Sequence, residues 1–260
     1  MDFTPIINEL LQLWWLLPIL FAVAFSRSSF FKGMLGEFII RLIARLTLPK
    51  TTYHPIHNVT LATADGTTQI DHLFISRFGI FVVETKNMKG WIFGSERQAQ
   101  WTQKIYKKSY QFQNPIRQNY KHVKAIEETL KTPPENIHSI IVFFGDNTFK
   151  TPMPENVTRG VGYIRYIRSF NEQIYSESEV QQLISAIETL RLKPSRETHK
   201  QHLESLKKRH TLATEKSCPK CGKAMVLRTA KRGKNIGQQF WGCSDYPSCK
   251  STQASPEKDW

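Results

Sequence analysis

Two groups of residues in this chain have spacing that suits metal chemistry. Cys218 and Cys221 form one pair, and Cys243 and Cys249 form another, with all four thiols of the chain inside residues 218–249. Two such pairs can close on one tetrahedral zinc ion. No further donor accompanies them, so the site would be closed and structural, and so small a module would need its metal to fold. The second group is Asp71, Glu84 and Lys86. Carboxylate oxygens suit Mg²⁺ or Mn²⁺, and a bound cation neutralises phosphate charge and lowers the pKa of its water. A neighbouring lysine can orient that water or stabilise developing negative charge. The alternative is plainer: a Glu84–Lys86 ion pair at a strand end, with Asp71 in a turn.

The elements that must position these groups follow from periodicity. Gln69-Ile-Asp-His72 and Ile80-Phe-Val-Val-Glu-Thr-Lys-Asn87 read as two strands joined at Arg77-Phe78-Gly79. Residues two apart on a strand share a face, so Glu84 and Lys86 point the same way, and Asp71 joins them if the strands are neighbours. Upstream, Leu35, Phe38, Ile39, Leu42, Ile43 and Leu46 predict an amphipathic helix with these residues inward and Glu37 on the far side, paired with Arg41. Residues 51–62 read as a strand, with His54 and His57 as strand or loop residues. Asn114 followed by Pro115 predicts a helix start. That helix has a core stripe of Ile116, Tyr120, Val123 and Leu130 and ends at Pro133-Pro134. Ser139–Gly145 and Gly160–Arg168 read as further strands and residues 176–192 as a closing helix. Strands on both sides of a helix indicate an α/β domain with a mixed sheet.

Several ordered motifs carry a resemblance. Gln69-Ile-Asp-His72, Phe78-Gly-Ile-Phe-Val-Val-Glu-Thr-Lys-Asn87, Gln100-Trp101 and Asn114-Pro115-x-x-Gln118 resemble the nuclease-related domain (NERD) family of the restriction-endonuclease-like (PD-(D/E)xK) superfamily, over about residues 34–170. The resemblance implies a restriction-endonuclease-like mixed sheet flanked by helices, with Asp71, Glu84 and Lys86 as catalytic core and Asp71 and Glu84 holding Mg²⁺ or Mn²⁺. It also implies that Glu37, after Gly36, assists the metal, and that Gln118 is the helical Gln of related nucleases. Some of those carry a Tyr where this chain has His122. The C-terminal run Cys218-Pro-x-Cys-Gly-x-x-Met, then Phe240-Trp-Gly-Cys-Ser-x-Tyr-Pro-x-Cys249, resembles the zinc finger of bacterial type I topoisomerases. That resemblance implies DNA binding, single-stranded, with Lys231, Arg232 and Lys234 on phosphates and Phe240, Trp241 and Tyr246 against bases. The alternative is that these aromatics cover the metal core. Nothing in 260 residues matches the topoisomerase catalytic machinery.

Composition agrees with a polyanionic partner. Lys and Arg number 36 against 22 Asp and Glu, a net charge of +14 that draws nucleic acid or an anionic membrane. Lys104, Lys107 and Lys108 interleave with Trp101, Tyr106, Tyr110 and Phe112, which suits phosphate contact and base stacking unless the aromatics simply pack inward. Ile6–Phe25 is a mostly apolar run long enough to span a bilayer, with Arg27 and Lys32 on one flank only. This reads as a single-pass anchor in the inner or plasma membrane, N-terminus outside and the rest cytoplasmic. A cleaved signal peptide, with Ala22-Val-Ala24 as its site, and a buried amphipathic helix are the rivals. The expected order is an anchor at 1–26, the nuclease-like domain at 33–192, a basic linker at 193–215 and the zinc ribbon at 216–254. The expected function is metal-dependent cleavage of DNA; the alternatives are a non-catalytic nucleic-acid tether and a membrane scaffold.

Overall fold

The computed structural model describes residues 21, 25, 28–64, 66–193, 195, 200, 203–204, 218–230, 236 and 238–254. The apolar N-terminal run and Lys231, Arg232 and Lys234 therefore lie outside the described residues, apart from Phe21 and Phe25. Among the described residues no helix is long and apolar enough to cross a membrane.

The N-terminal part holds α1 (Ser29–Thr47), β1 (Tyr53–Thr63), β2 (Gly66–Ser76), β3 (Gly79–Asn87), β4 (Gly90–Phe93), β5 (Gln100–Ile105), β6 (Lys108–Gln113) and α2 (Pro115–Leu130). After them come β7 (Ile137–Phe144), β8 (Asn147–Phe149), β9 (Val157–Arg159), α3 (Gly162–Ser169) and α4 (Glu177–Leu190). The main sheet runs β1-β2-β3-β7-β9. β1, β2 and β3 are antiparallel neighbours, while β3–β7 and β7–β9 are parallel. The parallel step requires a crossover, and α2 lies within it. Leu73, Ile75, Ile80 and Val82 point to α2 and α4, meeting Ala125, Ile126, Val180 and Ile187. Phe74, Phe81, Val83 and Val142 point the other way, to Ile40 and Ala44 of α1 and Tyr163, Ile164 and Ile167 of α3. Each Val, Leu, Ile or Phe among them contributes about 1.5–3 kcal/mol when fully buried.

A second sheet, β6-β5-β4-β8, continues from the first. β3 and β7 run parallel to Asn87 and Phe144, bend together, and resume as the parallel pair β4 and β8. The bend is closed by Met88 N–H donating to Phe144 O at 2.9 Å and Gly90 N–H to Asp146 O at 2.7 Å. Buried Asn147 donates its amide to the carbonyls of Met88, Phe144 and Gly145. Gly90 has φ +83°, and a β-carbon there would sit 2.4 Å from the Lys104 carbonyl oxygen. Only glycine fits that turn. Trp101, fully buried, packs with Ile92, Ile141 and Phe143 beneath this sheet.

Three expectations change. Gly160–Arg168 is not a strand: β9 ends at Arg159 and α3 begins at Gly162. Its buried residues Tyr163, Ile164 and Ile167 follow helical spacing, and the Tyr163 hydroxyl donates to Ile40 O at 2.8 Å, fixing α3 to α1. The inward face of α1 is Gly36, Ile40, Ala44 and Leu48, whereas Phe38, Leu42 and Leu46 are 60%, 44% and 75% exposed. Small residues face inward because α1 packs tightly on β3, with Asn87 against Gly36. The deepest face of α2 is Asn119, His122, Ala125 and Ile126, with Val123, Leu130 and Ile116 only partly buried. Two polar residues hold that face because each is hydrogen-bonded, as burial requires.

The C-terminal module is a three-stranded antiparallel sheet of β10 (Met225–Thr229), β11 (Gln239–Cys243) and β12 (Thr252–Ala254).

Candidate metal-binding and nucleic-acid sites

A break in two strands aims Asp71. β1 and β2 pair on both sides of Asn58 and Asp71, but that one pair is missing, and Asn58 has φ +53°, a left-handed conformation that Asn tolerates better than most residues. Side-chain alternation slips there. Ile56 and Val59, three apart, share one core, as do Ile70 and Leu73 opposite them. Beyond His72↔Val83 the pairing of β2 with β3 stops. Asp71 turns into the opening and its Oδ2 accepts the Thr85 N–H at 2.9 Å, capping a backbone donor that β2 leaves unpaired.

Glu84 is 3% exposed, and both oxygens are engaged. Lys86 Nζ lies 2.5 Å from Oε1 and His122 Nε2 lies 3.2 Å from Oε2. Lys86 also donates to the Gln118 side-chain oxygen at 2.8 Å. His122 Nδ1 lies 2.7 Å from the Thr68 hydroxyl. Burial raises the Glu84 pKa, but Lys86 and His122 outweigh it and the net shift is downward. Asp71 moves the other way. Burial and then the charge of Glu84 push its pKa well above the usual carboxylate range, with Glu37 adding to the rise. Glu37 is raised by burial and by Glu84, opposed by its ion pair with Arg41 at 3.2 Å. Asp71, Glu84, Lys86 and Gln118 thus meet at one place, and Glu37 is close enough to feel both other carboxylates. The three carboxylates repel one another, and Glu84 is the one whose charge Lys86 and His122 hold in place. His122 is the residue that sequence reasoning undervalued. Its signals were a place four residues after Gln118 on the same helix and its standing where some related nucleases carry a Tyr.

On the opposite face of β2, His72 is fully buried, with Nδ1 3.0 Å from Nδ1 of His57. Burial holds His72 down to about 3 and His57 down to about 4, with Arg41 lowering both and Glu84 opposing it at His72.

In the C-terminal module all four sulfurs lie within 4.8 Å of one another, Cys218–Cys249 at 3.7 Å and Cys221–Cys243 at 3.4 Å. A zinc–sulfur bond of about 2.3 Å gives a tetrahedron edge of about 3.8 Å, so the four thiols fit one zinc ion. Burial raises the Cys218 thiol, yet the Lys220 and Cys221 amides aimed at it bring it down to about 6. Trp241 is buried with the cysteines and Met225, so its ring covers the metal core instead of facing a base. Phe240 is half-buried. Tyr246 is 61% exposed, with the Arg228 guanidinium 5.7 Å from its ring.

Comparison with known proteins matches both regions. Residues 32–144 match the nuclease-related domain, and residues 215–258 match the topoisomerase DNA-binding C4 zinc finger. The chain joins a nuclease-related domain to a topoisomerase-type zinc ribbon. An uncharacterised protein of Bacillus anthracis is 55% identical over 97 residues, 37% of this chain and 45% of the relative. DNA topoisomerase 1 of Mycoplasma genitalium is 42% identical over 53 residues, 20% of this chain and 7% of the topoisomerase. The uncharacterised protein YrdD of Escherichia coli is 46% identical over 39 residues, 15% and 19% of the two chains. This chain spans less than half the length of each. No solved structure matches.

Proposed function

We propose that this chain is a metal-dependent nuclease with a restriction-endonuclease-like active site at Asp71, Glu84 and Lys86, held to DNA by its zinc ribbon. The observation that supports it is the convergence of Asp71, Glu84, Lys86 and Gln118 at the opened β2–β3 edge. Asp71, Glu84 and Glu37 would hold Mg²⁺ or Mn²⁺, which when bound supplies a Lewis acid and an acidic water. Lys86 places a positive charge beside the scissile phosphate, where negative charge builds. Gln118 holds the lysine in place, and His122 holds Glu84. The ribbon offers Tyr246 and Arg228 to the nucleic acid, with preference for single strands. The activity of DNA topoisomerase 1 belongs to that protein, whose shared segment is the finger alone.

We also place the chain at the inner or plasma membrane. The apolar run Ile6–Phe25 is the anchor, and the soluble part lies on the cytoplasmic side. The exposed apolar side of α1, at Phe38, Leu42 and Leu46, supports a lipid-facing orientation next to that run.

A second reading is a nucleic-acid tether without catalysis. It is favoured by the Lys86–Glu84 pair at 2.5 Å, which already neutralises the buried carboxylate. One assay separates the two: purified full-length chain with Mg²⁺ or Mn²⁺ on single-stranded DNA, duplex DNA and RNA. The nuclease reading expects metal-dependent products. It also expects Asp71→Asn, Glu84→Gln and Lys86→Ala each to lower turnover by about 10²–10³-fold, with nucleic-acid affinity kept. Salt-sensitive binding without products would leave the tether, and turnover undiminished in Glu84→Gln would show that the active site is not at this cluster.

A further inference from the structure

The second sheet carries a surface that the active-site reading does not use. Trp91 on β4 is 47% exposed, although the strand's next residue, Ile92, is fully buried. Its register partner across the sheet is Lys104 on β5. The Lys104 ammonium lies 5.7 Å from the indole centroid, and Lys150, just past β8, lies 4.6 Å from it. Neither ammonium forms an ion pair among the described residues. At the tip of the β5–β6 hairpin, Tyr106 is 93% exposed in a left-handed turn at φ +51°, followed by exposed Lys107 and Lys108. The pairing also shows which aromatics do not belong here. Trp101 and Phe112 pair on the buried side, and Tyr110, opposite Gln103, shares their face.

An exposed indole between two unpaired ammonium groups is a stacking platform with charge on its rim. Flat aromatic faces accept any base, and lysines accept the phosphates on either side of it. We propose that Trp91, Lys104 and Lys150 form a second contact surface for single-stranded nucleic acid, with a base stacked on Trp91 and flanking phosphates on the two lysines. The proposal rests on the nucleic-acid part of the function above, not on cleavage. Its position suits that function. Trp91 follows Lys86 by five residues, so the two backbones are at most about 18 Å apart. At about 3.4 Å per nucleotide along one strand of a duplex, that offset is at most about five nucleotides.

The test uses full-length protein carrying Glu84→Gln, so that bound strand is not consumed, and a short oligothymidylate containing 5-iodouracil. Ultraviolet cross-linking followed by peptide mass spectrometry should place an adduct on Trp91. Trp91→Leu should weaken binding about 5- to 150-fold, the equivalent of about 1–3 kcal/mol per stacked base, while Trp91→Phe keeps most of it and the melting temperature is unchanged. Lys104→Ala with Lys150→Ala should lower the slope of log affinity against log salt by about 1.4, or 0.7 per phosphate. Adducts confined to residues 218–254 with unchanged affinity in Trp91→Leu would overturn the proposal. So would Trp91-dependent binding to duplex DNA or to anionic phosphatidylglycerol vesicles in preference to the single strand. None of these results depends on turnover, so the cleavage assay fails or succeeds separately.

Discussion

The thiol cluster and the carboxylate cluster relate to metal in opposite ways. In the zinc ribbon, three of the five buried core residues are Cys218, Cys243 and Cys249, with Met225 and Trp241 completing the cluster. Remove the ion and most of the core loses its reason to close. The carboxylates instead sit at the edge of a domain with three apolar clusters of its own, and Lys86 neutralises Glu84 from within the chain. There a metal would be a guest in a fold that exists beforehand. The lesson is that donor geometry alone does not separate structural from functional metal. What separates them is how much of the surrounding core consists of donors.

The contrast breaks most visibly if zinc is withdrawn. Chelation, or Cys218→Ser, should unfold residues 218–254 while the nuclease-related domain melts as before, since a structural zinc contributes about 10–16 kcal/mol of apparent stability to such modules. Limited proteolysis with mass spectrometry reads both regions at once. Common loss of protection in both, or in neither, would erase the distinction.

Acid should act on the other region. His72 and His57 stay neutral when folded but take up protons when unfolded below about pH 6.5. Their contribution is therefore complete above that pH and is lost as pH falls toward 4. At pH 5 the loss is about 2 kcal/mol for fully buried His72 and less for half-buried His57. Urea midpoints of the nuclease-related domain between pH 7 and 5 measure it. The double variant His57→Leu, His72→Phe should flatten the profile.

The smallest effect tests the guest. The raised pKa of Asp71 means the folded chain keeps a proton over a range where the unfolded chain has released it. Stability thus falls as pH rises through that range. Asp71→Asn should accordingly melt a few degrees higher than the unsubstituted metal-free protein at neutral pH, about 1 kcal/mol being worth about 2–4 °C. Mg²⁺ at ten times its Kd should add about 1.4 kcal/mol to the unsubstituted protein and nothing to the variant. A variant that melts lower, or that still responds to Mg²⁺, would place the cation elsewhere.

Much of this was legible in the residues. The apolar run ending in Glu84 and Lys86 announced β3, and strand alternation put both on one face. The four cysteines announced their own cluster. What was hidden was hidden for physical reasons. The stripe Leu35, Phe38, Leu42 and Leu46 looked like a core face because periodicity records which residues are apolar, not which side a sheet occupies. Gly36 and Ala44 face the sheet because close packing selects small residues. Asn119 and His122 were passed over as core because their burial depends on partners far away in sequence, at Val82, Ile140 and Glu84. The slip in alternation at Asn58 and Asp71 left no mark that period-two reasoning could use. Trp91 and Trp101 are equally aromatic, and only the register sends one outward.

The joint bend of β3 and β7 into β4 and β8 has a mechanical consequence. A single strand crossing between two sheets could twist at its peptide links. Two parallel strands crossing together, with Asn147 bridging three carbonyls at the corner, behave as a stiff bracket. The corner therefore resists changes in the offset between Lys86 and Trp91. A strand held on one arm of such a bracket, as proposed for Trp91, would meet the other within the reach of the five residues that join them, and loss of the Asn147 side chain would loosen the corner.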